Sequence, residues 1–220
     1  MRSQPKLIIS YNYWPSFTDF VSALLLIFIF MTIYQFFTRF DLMQNLLIKA
    51  KQSQLLAAFQ DTFSSEMDDG YITITTDGNL QRISYMDKLI FPSGKVELSD
   101  QHYLELSARI LQAFGHGTFK RIMVEGYTDS DPINPYSNEL RRKGITDNWD
   151  LSAARAVEVV RFLQKGFHID PRLLSATGYS HYQSMMNATE VDKQRNRKIE
   201  IVLFYSMDDL NSGPDDMTDE

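Results

Sequence analysis

The longest apolar run in the chain extends from Phe17 to Phe37 and contains one charged residue, Asp19. An α-helix over this run would span roughly 30 Å, which is the thickness of the hydrocarbon core of a bilayer. Pro15 just before it suits the first position of a helix, where the missing N–H is not needed. The pattern therefore predicts a transmembrane helix over residues 15–38, preceded by a short flank over residues 1–14.

A secretory signal is the competing interpretation of this run. The run is longer than a typical signal core, and the residues that follow it, 35–39, are bulky rather than small, so an uncleaved anchor is favoured. Arg2 and Lys6 precede the span, whereas Arg39 beyond it is offset by Asp41. The excess of basic residues on the N-terminal side predicts a single-pass membrane protein with a cytoplasmic N-terminus and an exported C-terminal domain.

Asp19 is the residue of the span that needs an explanation. A carboxylate costs about 2.5–3.5 kcal/mol at the centre of an inserted helix and by default faces a partner helix or a water-filled path. Ser22 and Ala23 share its face and form a small strip that permits close helix approach. Alternatively, Ser16 caps the helix and Asp19 completes a capping box that satisfies backbone donors.

Apolar residues continue at spacings of three and four after the span, through Phe40, Met43 and Leu47 to Phe59. This period predicts a helix over residues 39–69. It could form a coiled neck, an interfacial helix or a spacer, and a simple amphipathic linker is the favoured interpretation. The polar, turn-like residues before Gly70 mark the predicted start of the domain.

The pattern from residue 70 to residue 206 alternates between short strands and helices. This order predicts an α+β sandwich in which a mixed sheet carries helices on one face. The predicted strands are 71–76, 80–84, 119–125, 174–177 and 199–205, and a turn at 77–78 joins the first two. The predicted helices are 100–114, which Ser99 precedes, and 151–164, and residues 130–147 are predicted to be a surface loop.

Composition narrows the function. The net charge is −6, and the tail over residues 207–220 holds six acids and no base, so that this tail is predicted to be disordered and the rest of the chain offers no basic nucleic-acid face. The absence of cysteine suits an oxidising compartment. The four histidines lack metal-ligand spacing, and no nucleophile motif occurs, so the sequence predicts no cofactor or metal and a binding protein rather than an enzyme.

Three motifs stand in order in the second half of the chain. They are Gly126-Tyr127-Thr128-Asp129, then Asn148-x-x-Leu151-Ser152-x-x-Arg155, then Asn196-Arg197-Lys198-Ile199-Glu200. Together they resemble the motifs of the OmpA-like peptidoglycan-binding domain. A carboxylate and a guanidinium at one sheet edge can bind the ammonium and carboxylate of a zwitterion.

This resemblance implies that the ligand is the diaminopimelate of the peptidoglycan stem peptide. It implies that Asp129 and Arg155 hold this ligand, with Asn148, Thr128, Asn196 and Arg197 alongside. The alternative from the residues alone is an ordinary buried ion pair, in which Ser152 or Asp150 caps the helix and Arg155 supports a loop.

An intramembrane acid followed by such a domain resembles the stator subunits of ion-driven motors. The span of the flagellar stator protein MotB carries a Pro-x-x-Ala-Asp pattern, and here Pro15 and Asp19 keep that spacing. The Tyr13-Trp14-Pro15-Ser16 opening is similar to ZorB, the MotB-like subunit of Zorya anti-phage defence systems. That resemblance implies a homodimer inside a ring of ZorA-like membrane subunits, with Asp19 carrying protons. It also implies that the span lies in the bacterial inner membrane and that the C-terminal domain is periplasmic. A flagellar-type stator and a static wall-binding anchor are the alternatives.

Overall fold

The computed structural model describes residues 14–92, 94–99, 101–115, 117–134, 136–183 and 189–206. The predicted N-terminal flank, apart from Trp14, and the acidic tail lie outside these residues. The chain divides into two compact units, Met1–Asn45 and Leu46–Glu220, which are described separately.

The first unit contains the N-terminal part of helix α1, which begins at Trp14 and ends at Asp68. Thr18 lies inside the helix, where its hydroxyl donates to the carbonyls of Pro15 (2.8 Å) and Trp14 (3.1 Å). Ser16 is therefore already helical and cannot be the N-cap. The capping-box alternative for Asp19 is wrong, because the helix starts two residues before the proposed cap.

The apolar side chains of this part of α1 are exposed, from Trp14 through Phe37. By its length and composition, α1 is long and apolar enough to cross a membrane. Asp19 is exposed on this helix. In water such a surface would be unfavourable, so its composition agrees with the predicted span.

The second unit begins within α1, at Leu46, and not at residue 70 as predicted. The reason is a buried stripe at helical spacing. Ile48, Leu55, Phe59 and Phe63 pack into the core of the domain, and the side-chain amide of Gln52 donates to the carbonyl of Gly78 at 3.0 Å. The favoured interpretation, a simple amphipathic linker, is therefore wrong for this part of the helix. The helix is kinked at Phe63, whose backbone is non-helical.

Five strands form one mixed sheet in the order β1-β2-β5-β3-β4. Strands β3 and β4 are parallel, and all other neighbours are antiparallel. Gly78 has a φ of 57° in the tight turn between β1 and β2, where glycine is favoured. The strands are β1 (Ile72–Asp77), β2 (Leu80–Met86), β3 (Phe119–Tyr127), β4 (Leu174–Gly178) and β5 (Lys198–Tyr205).

Five further helices accompany the sheet in the described residues: α2 (Asp87–Ile90), α3 (His102–Ala113), α4 (Asn138–Arg142), α5 (Asn148–Phe167) and α6 (Glu190–Asn196). Helix α5 is longer than predicted at both ends. It runs through Gly166 and stops at His168, whose left-handed backbone (φ 53°) forms the C-cap. Thr189 and Asp192 form a capping box at the start of α6.

The main core lies between one face of the sheet and the helices α1, α3 and α5, as the predicted sandwich requires. Ile83, Val124 and Ile201 are fully buried sheet residues on this face. A second, small core contains Val96, Leu140, Ile145 and Leu151. The segment predicted as a surface loop, 130–147, therefore includes the short helix α4 and contributes two buried side chains.

Candidate functional site

A cavity of about 440 Å³ opens at the end of the sheet where β2 and β3 finish and β5 begins. The N-terminal half of α5 and the segment that contains α4 complete its wall. Charged side chains of both signs dominate the lining: Asp87, Asp129, Asp131 and Glu139 are the acids, and Lys95, Arg155 and Arg197 are the bases.

Five of the six predicted binding residues line this cavity. They are Thr128, Asp129, Asn148, Arg155 and Arg197. Asn196 is not brought there: it is buried at the end of α6 and borders a separate cavity with Ser84 and Lys198. The three motifs thus converge in space, except for the first residue of the last one.

Asp129 is engaged through both oxygens of its carboxylate. One oxygen, Oδ1, accepts from the backbone N–H of Asp131 at 3.1 Å, and the other, Oδ2, forms an ion pair with Arg197. The Arg197 side chain remains one-third exposed, so its guanidinium is the more accessible partner of this pair.

Arg155 is almost fully buried, with 3% of its surface exposed. Its Nη1 lies 3.1 Å from Oδ2 of Asp87, its Nε donates to the carbonyl of Lys95 at 2.9 Å, and its guanidinium lies over the ring of Phe91. Burial lowers the pKa of Arg155, although Asp87 opposes this shift. The hydrogen bond from Arg155 to the carbonyl of Lys95 holds the segment that contains Lys95. Support of a loop, the alternative role of Arg155, therefore describes this one contact.

Asp87 is a buried acid of the cavity lining that the sequence does not single out. It follows the last residue of β2 and begins α2, and 6% of its surface is exposed. Burial raises the pKa of Asp87, although Arg155 and Arg197 partly oppose this shift. In the sequence, Asp87 is an acid at a strand end, four residues before Phe91. This pattern is too common in proteins to indicate a binding site by itself.

The cap of α5 is Asp147, and not Ser152 or Asp150 as the alternative interpretation held. The Asp147 carboxylate accepts from the backbone N–H groups of Trp149 (2.8 Å) and Asp150 (3.0 Å). Asn148 then uses its side-chain amide to donate to the carbonyls of Asp129 (3.2 Å) and Asp131 (2.9 Å). It fixes the backbone that follows β3, where the cavity lies.

Two glycines allow α5 to lie close to the sheet. A Cβ atom on Gly126 would lie 2.1 Å from the carbonyl oxygen of Ser152, and one on Gly178 would lie 2.5 Å from the backbone nitrogen of Ala153. The first glycine of the Gly126–Asp129 motif therefore permits the approach that brings Arg155 to the cavity.

Two buried acceptors of the cavity lining lack a hydrogen-bond partner among the described residues: Oδ1 of Asp87 and Oγ1 of Thr128. Buried polar groups are normally satisfied, and exceptions concentrate where a ligand, an ion or a water belongs. The chemistry of the cavity therefore suits a small zwitterion that both donates and accepts hydrogen bonds.

Comparisons with known proteins agree with this fold and layout. Residues 90–198 match the model of the OmpA family. Motility protein B of Bacillus subtilis is 28% identical over 132 residues, which is 60% of this chain and 47% of that protein.

Two solved structures show the same fold. A MotB-like protein of Desulfovibrio vulgaris superposes with a TM-score of 0.63 at 26% identity, covering 74% of this chain and 96% of that one. The cell wall anchor of the T6SS from Pseudomonas aeruginosa superposes with a TM-score of 0.56 at 23% identity, covering 67% and 97% of the two chains.

The chain spans 47% and 61% of the lengths of the two Bacillus subtilis relatives that it matches. The family match includes all of the cavity lining except Asp87, because residues 90–198 contain the three motifs up to Lys198. The chain is therefore similar to MotB proteins, and its second unit carries an OmpA-like domain.

Proposed function

We propose that the OmpA-like domain binds the diaminopimelate-containing stem peptide of peptidoglycan in the cavity that holds Asp129, Arg155 and Arg197. The observation that carries this proposal is the convergence of five predicted residues on one cavity with charges of both signs. A zwitterionic amino acid offers an ammonium to the acids and a carboxylate to the guanidinium groups, which bind carboxylates as a fork.

Co-sedimentation of the full chain in detergent with purified peptidoglycan tests this binding. Asp129→Asn removes a charge from the cavity and is expected to reduce the bound fraction strongly. Asp170→Asn is the matched control, because Asp170 pairs with the exposed Arg172 and does not line the cavity. Equal binding by the two variants would contradict the proposed site.

The apolar part of α1 supports the second half of the proposal, in which the chain is a MotB-like stator subunit of a proton-driven motor in the bacterial inner membrane. Two copies, one per protomer of a homodimer, place two Asp19 carboxylates beside a ring of ZorA-like membrane subunits. Each carboxylate accepts and releases protons as ions cross, and its change of charge alters the contacts between helices. The domain holds the dimer to the wall, so that the ring turns relative to it.

The finer assignment is to a Zorya-type system that protects bacteria against phage. Its support is the resemblance of the Tyr13–Ser16 opening and of Asp19 to ZorB. A large helical membrane partner encoded beside a helicase-like protein would favour this defence role over a flagellar one.

Asp19→Asn in cells that express the chain with its membrane partner tests the motor. The variant is expected to assemble but to lose proton flux and phage protection. Asp41→Asn is the matched control, since Asp41 lies on the same helix outside the predicted span and is exposed. Full flux in the Asp19 variant would leave a static anchor as the better description.

A further inference from the structure

We infer that Asp87 and Thr128 receive the ammonium group of the ligand, so that Asp87 is a binding residue of the cavity in addition to the residues of the three motifs. This inference rests on the proposed binding of a zwitterionic stem peptide. The resemblance to OmpA-like domains implies a ligand-binding role for Asp129, and the present inference adds Asp87 as a separate acid that binds the ammonium.

The acids of the cavity differ in how many of their carboxylate oxygens already have a partner. Both oxygens of Asp129 are engaged, one by the N–H of Asp131 and one by Arg197. Asp131 itself pairs with Lys193 at 2.6 Å. Asp87 uses only Oδ2, toward Arg155, and its Oδ1 is buried with no partner among the described residues.

Thr128 supplies the second acceptor. Its side-chain oxygen Oγ1 is buried and unpartnered in the described structure, although its backbone N–H donates to the carbonyl of Ser180 at 2.9 Å. A hydroxyl and a carboxylate oxygen in one cavity match an ammonium group, which has three donors and no acceptor. Leaving either acceptor buried and unsatisfied is costly, so a ligand that satisfies both gains that free energy on binding.

Access to these atoms requires a side chain to move, because both are almost completely shielded from solvent. Arg197 is the side chain suited to this movement. It lies close enough to lower the pKa of Asp87, and one-third of its side chain is exposed. If the Arg197 guanidinium rotates while its ion pair with Asp129 stays formed, the ligand ammonium reaches Asp87, and both oxygens of Asp129 remain engaged.

A pair of ligands isolates the ammonium. The first is the tripeptide L-Ala-γ-D-Glu-meso-diaminopimelate, and the second is the same peptide with the free side-chain amine acetylated. Titration calorimetry with the full chain in detergent is expected to show at least about tenfold tighter binding of the first peptide, because charge-assisted hydrogen bonds are strong.

Variants then locate the group that reads the ammonium. Asp87→Asn is expected to abolish the preference for the free amine, and Thr128→Val to reduce it, whereas Thr128→Ser keeps it. Ser175→Ala is the matched control: its hydroxyl is also buried and unpartnered in the described structure, but Ser175 does not line this cavity. Thermal unfolding of each variant shows whether the fold is retained.

The outcomes separate this inference from the proposed function. If the wild-type chain binds neither peptide, the proposed function fails. If it prefers the free amine and Asp129→Asn alone removes that preference while Asp87→Asn keeps it, the ammonium is held by Asp129 and the present inference is overturned. Loss of the preference in Asp87→Asn and its survival in Ser175→Ala support the inference.

Discussion

Two clusters of buried charge lie on neighbouring parts of the same sheet and differ in how completely their polar groups are paired. The first is the cavity cluster around Asp87, Asp129 and Arg155, at the end of the sheet. The second, the sheet-face cluster, lies on the face opposite the helices and consists of Arg82, Ser84, Glu125, Tyr127, Lys198 and Glu200.

The sheet-face cluster satisfies its two buried acids. Glu125 and Glu200 are directly opposite each other on β3 and β5, an arrangement that would repel without nearby cations. Arg82 lies between them, at 2.8 Å from Glu125 and 3.3 Å from Glu200. Tyr127 donates to Glu125 at 2.8 Å, and Ser84 and Lys198 contact Glu200 at 2.8 Å and 2.5 Å.

The cavity cluster contains ion pairs of similar burial but leaves two acceptors open. A network in which every polar group is paired stabilises one arrangement of the strands and leaves no donor or acceptor for a ligand. A network with open acceptors beside a cavity is less stable by itself and can bind. Buried charge alone therefore does not distinguish the candidate site in this protein, whereas incomplete pairing beside a cavity does.

The largest expected effect comes from breaking the cavity cluster at Arg155. Arg155→Met leaves Asp87 buried without its ion-pair partner, which is expected to lower the free energy of unfolding by about 3–5 kcal/mol. Chemical denaturation followed by circular dichroism measures this loss. Arg172→Met is the control and is expected to have no measurable effect, because Arg172 and its partner Asp170 form a surface pair.

The double variant Arg155→Met, Asp87→Leu separates stability from binding. Replacement of a buried ion pair by apolar side chains is often neutral, so the double variant should regain much of the lost stability. Binding of the stem peptide should stay absent, because both charges are gone. Recovered binding in the double variant would show that the pair serves only the fold.

A smaller effect is expected from Gly126→Ala, which should damage one cluster and spare the other. The added Cβ would lie 2.1 Å from the carbonyl oxygen of Ser152, so the start of α5 must shift away from β3. The expected cost is about 1–3 kcal/mol, together with weaker peptide binding, because α5 carries Arg155. The sheet-face cluster does not involve α5 and should keep its pairing.

Gly166→Ala is the matched control for this substitution. The nearest atom to its added Cβ would be Cε2 of Phe162 at 4.0 Å, an ordinary contact, and Gly166 lies within α5. Alanine is the better helix former, so this variant should be more stable by roughly 0.5–1 kcal/mol with unchanged binding. Equal effects of the two variants would show that close packing at Gly126 does not position the cavity.

The sequence predicts the regular elements of this fold well where the hydrophobic period is clean, as in β2, β5 and α5. It fails where apolar residues are sparse, because Leu140 and Ile145 show no period and yet are buried in the small core with Val96. The sequence shows the helical period of the linker, but such a period indicates only that one face of the helix packs against something. It does not identify the sheet that covers it.

The candidate site could be predicted as far as its motifs reach. The motifs predict Asp129 and Arg155 as binding residues, and the structure places both at the cavity. Their pairing could not be predicted, because an acid's partner is set by tertiary contacts between distant segments. Asp87 pairs with Arg155 across 68 positions in the sequence, and no local pattern indicates such a contact.

The smallest expected effect is on the pH dependence of stability, where the two clusters should differ in sign. Although burial opposes the shift, Lys198, Ser84 and Arg82 lower the pKa of Glu200, so its contribution is fully present above its ordinary pKa of about 4.5 and is lost as the pH falls through the lowered value. Burial raises the pKa of Asp87, so the contribution of Asp87 to stability is present below its ordinary pKa of about 3.8 and is lost as the pH rises through the raised value.

The free energy of unfolding of wild type minus that of Glu200→Gln should therefore grow between about pH 3 and pH 7. The same difference for Asp87→Asn should shrink, and each change should be about 1.4 kcal/mol per unit of pKa shift. Denaturant titrations of the three proteins across this range measure both differences. Slopes of the same sign would mean that the two acids occupy equivalent environments, and the contrast between a fully paired cluster and an incompletely paired one would then have no energetic counterpart.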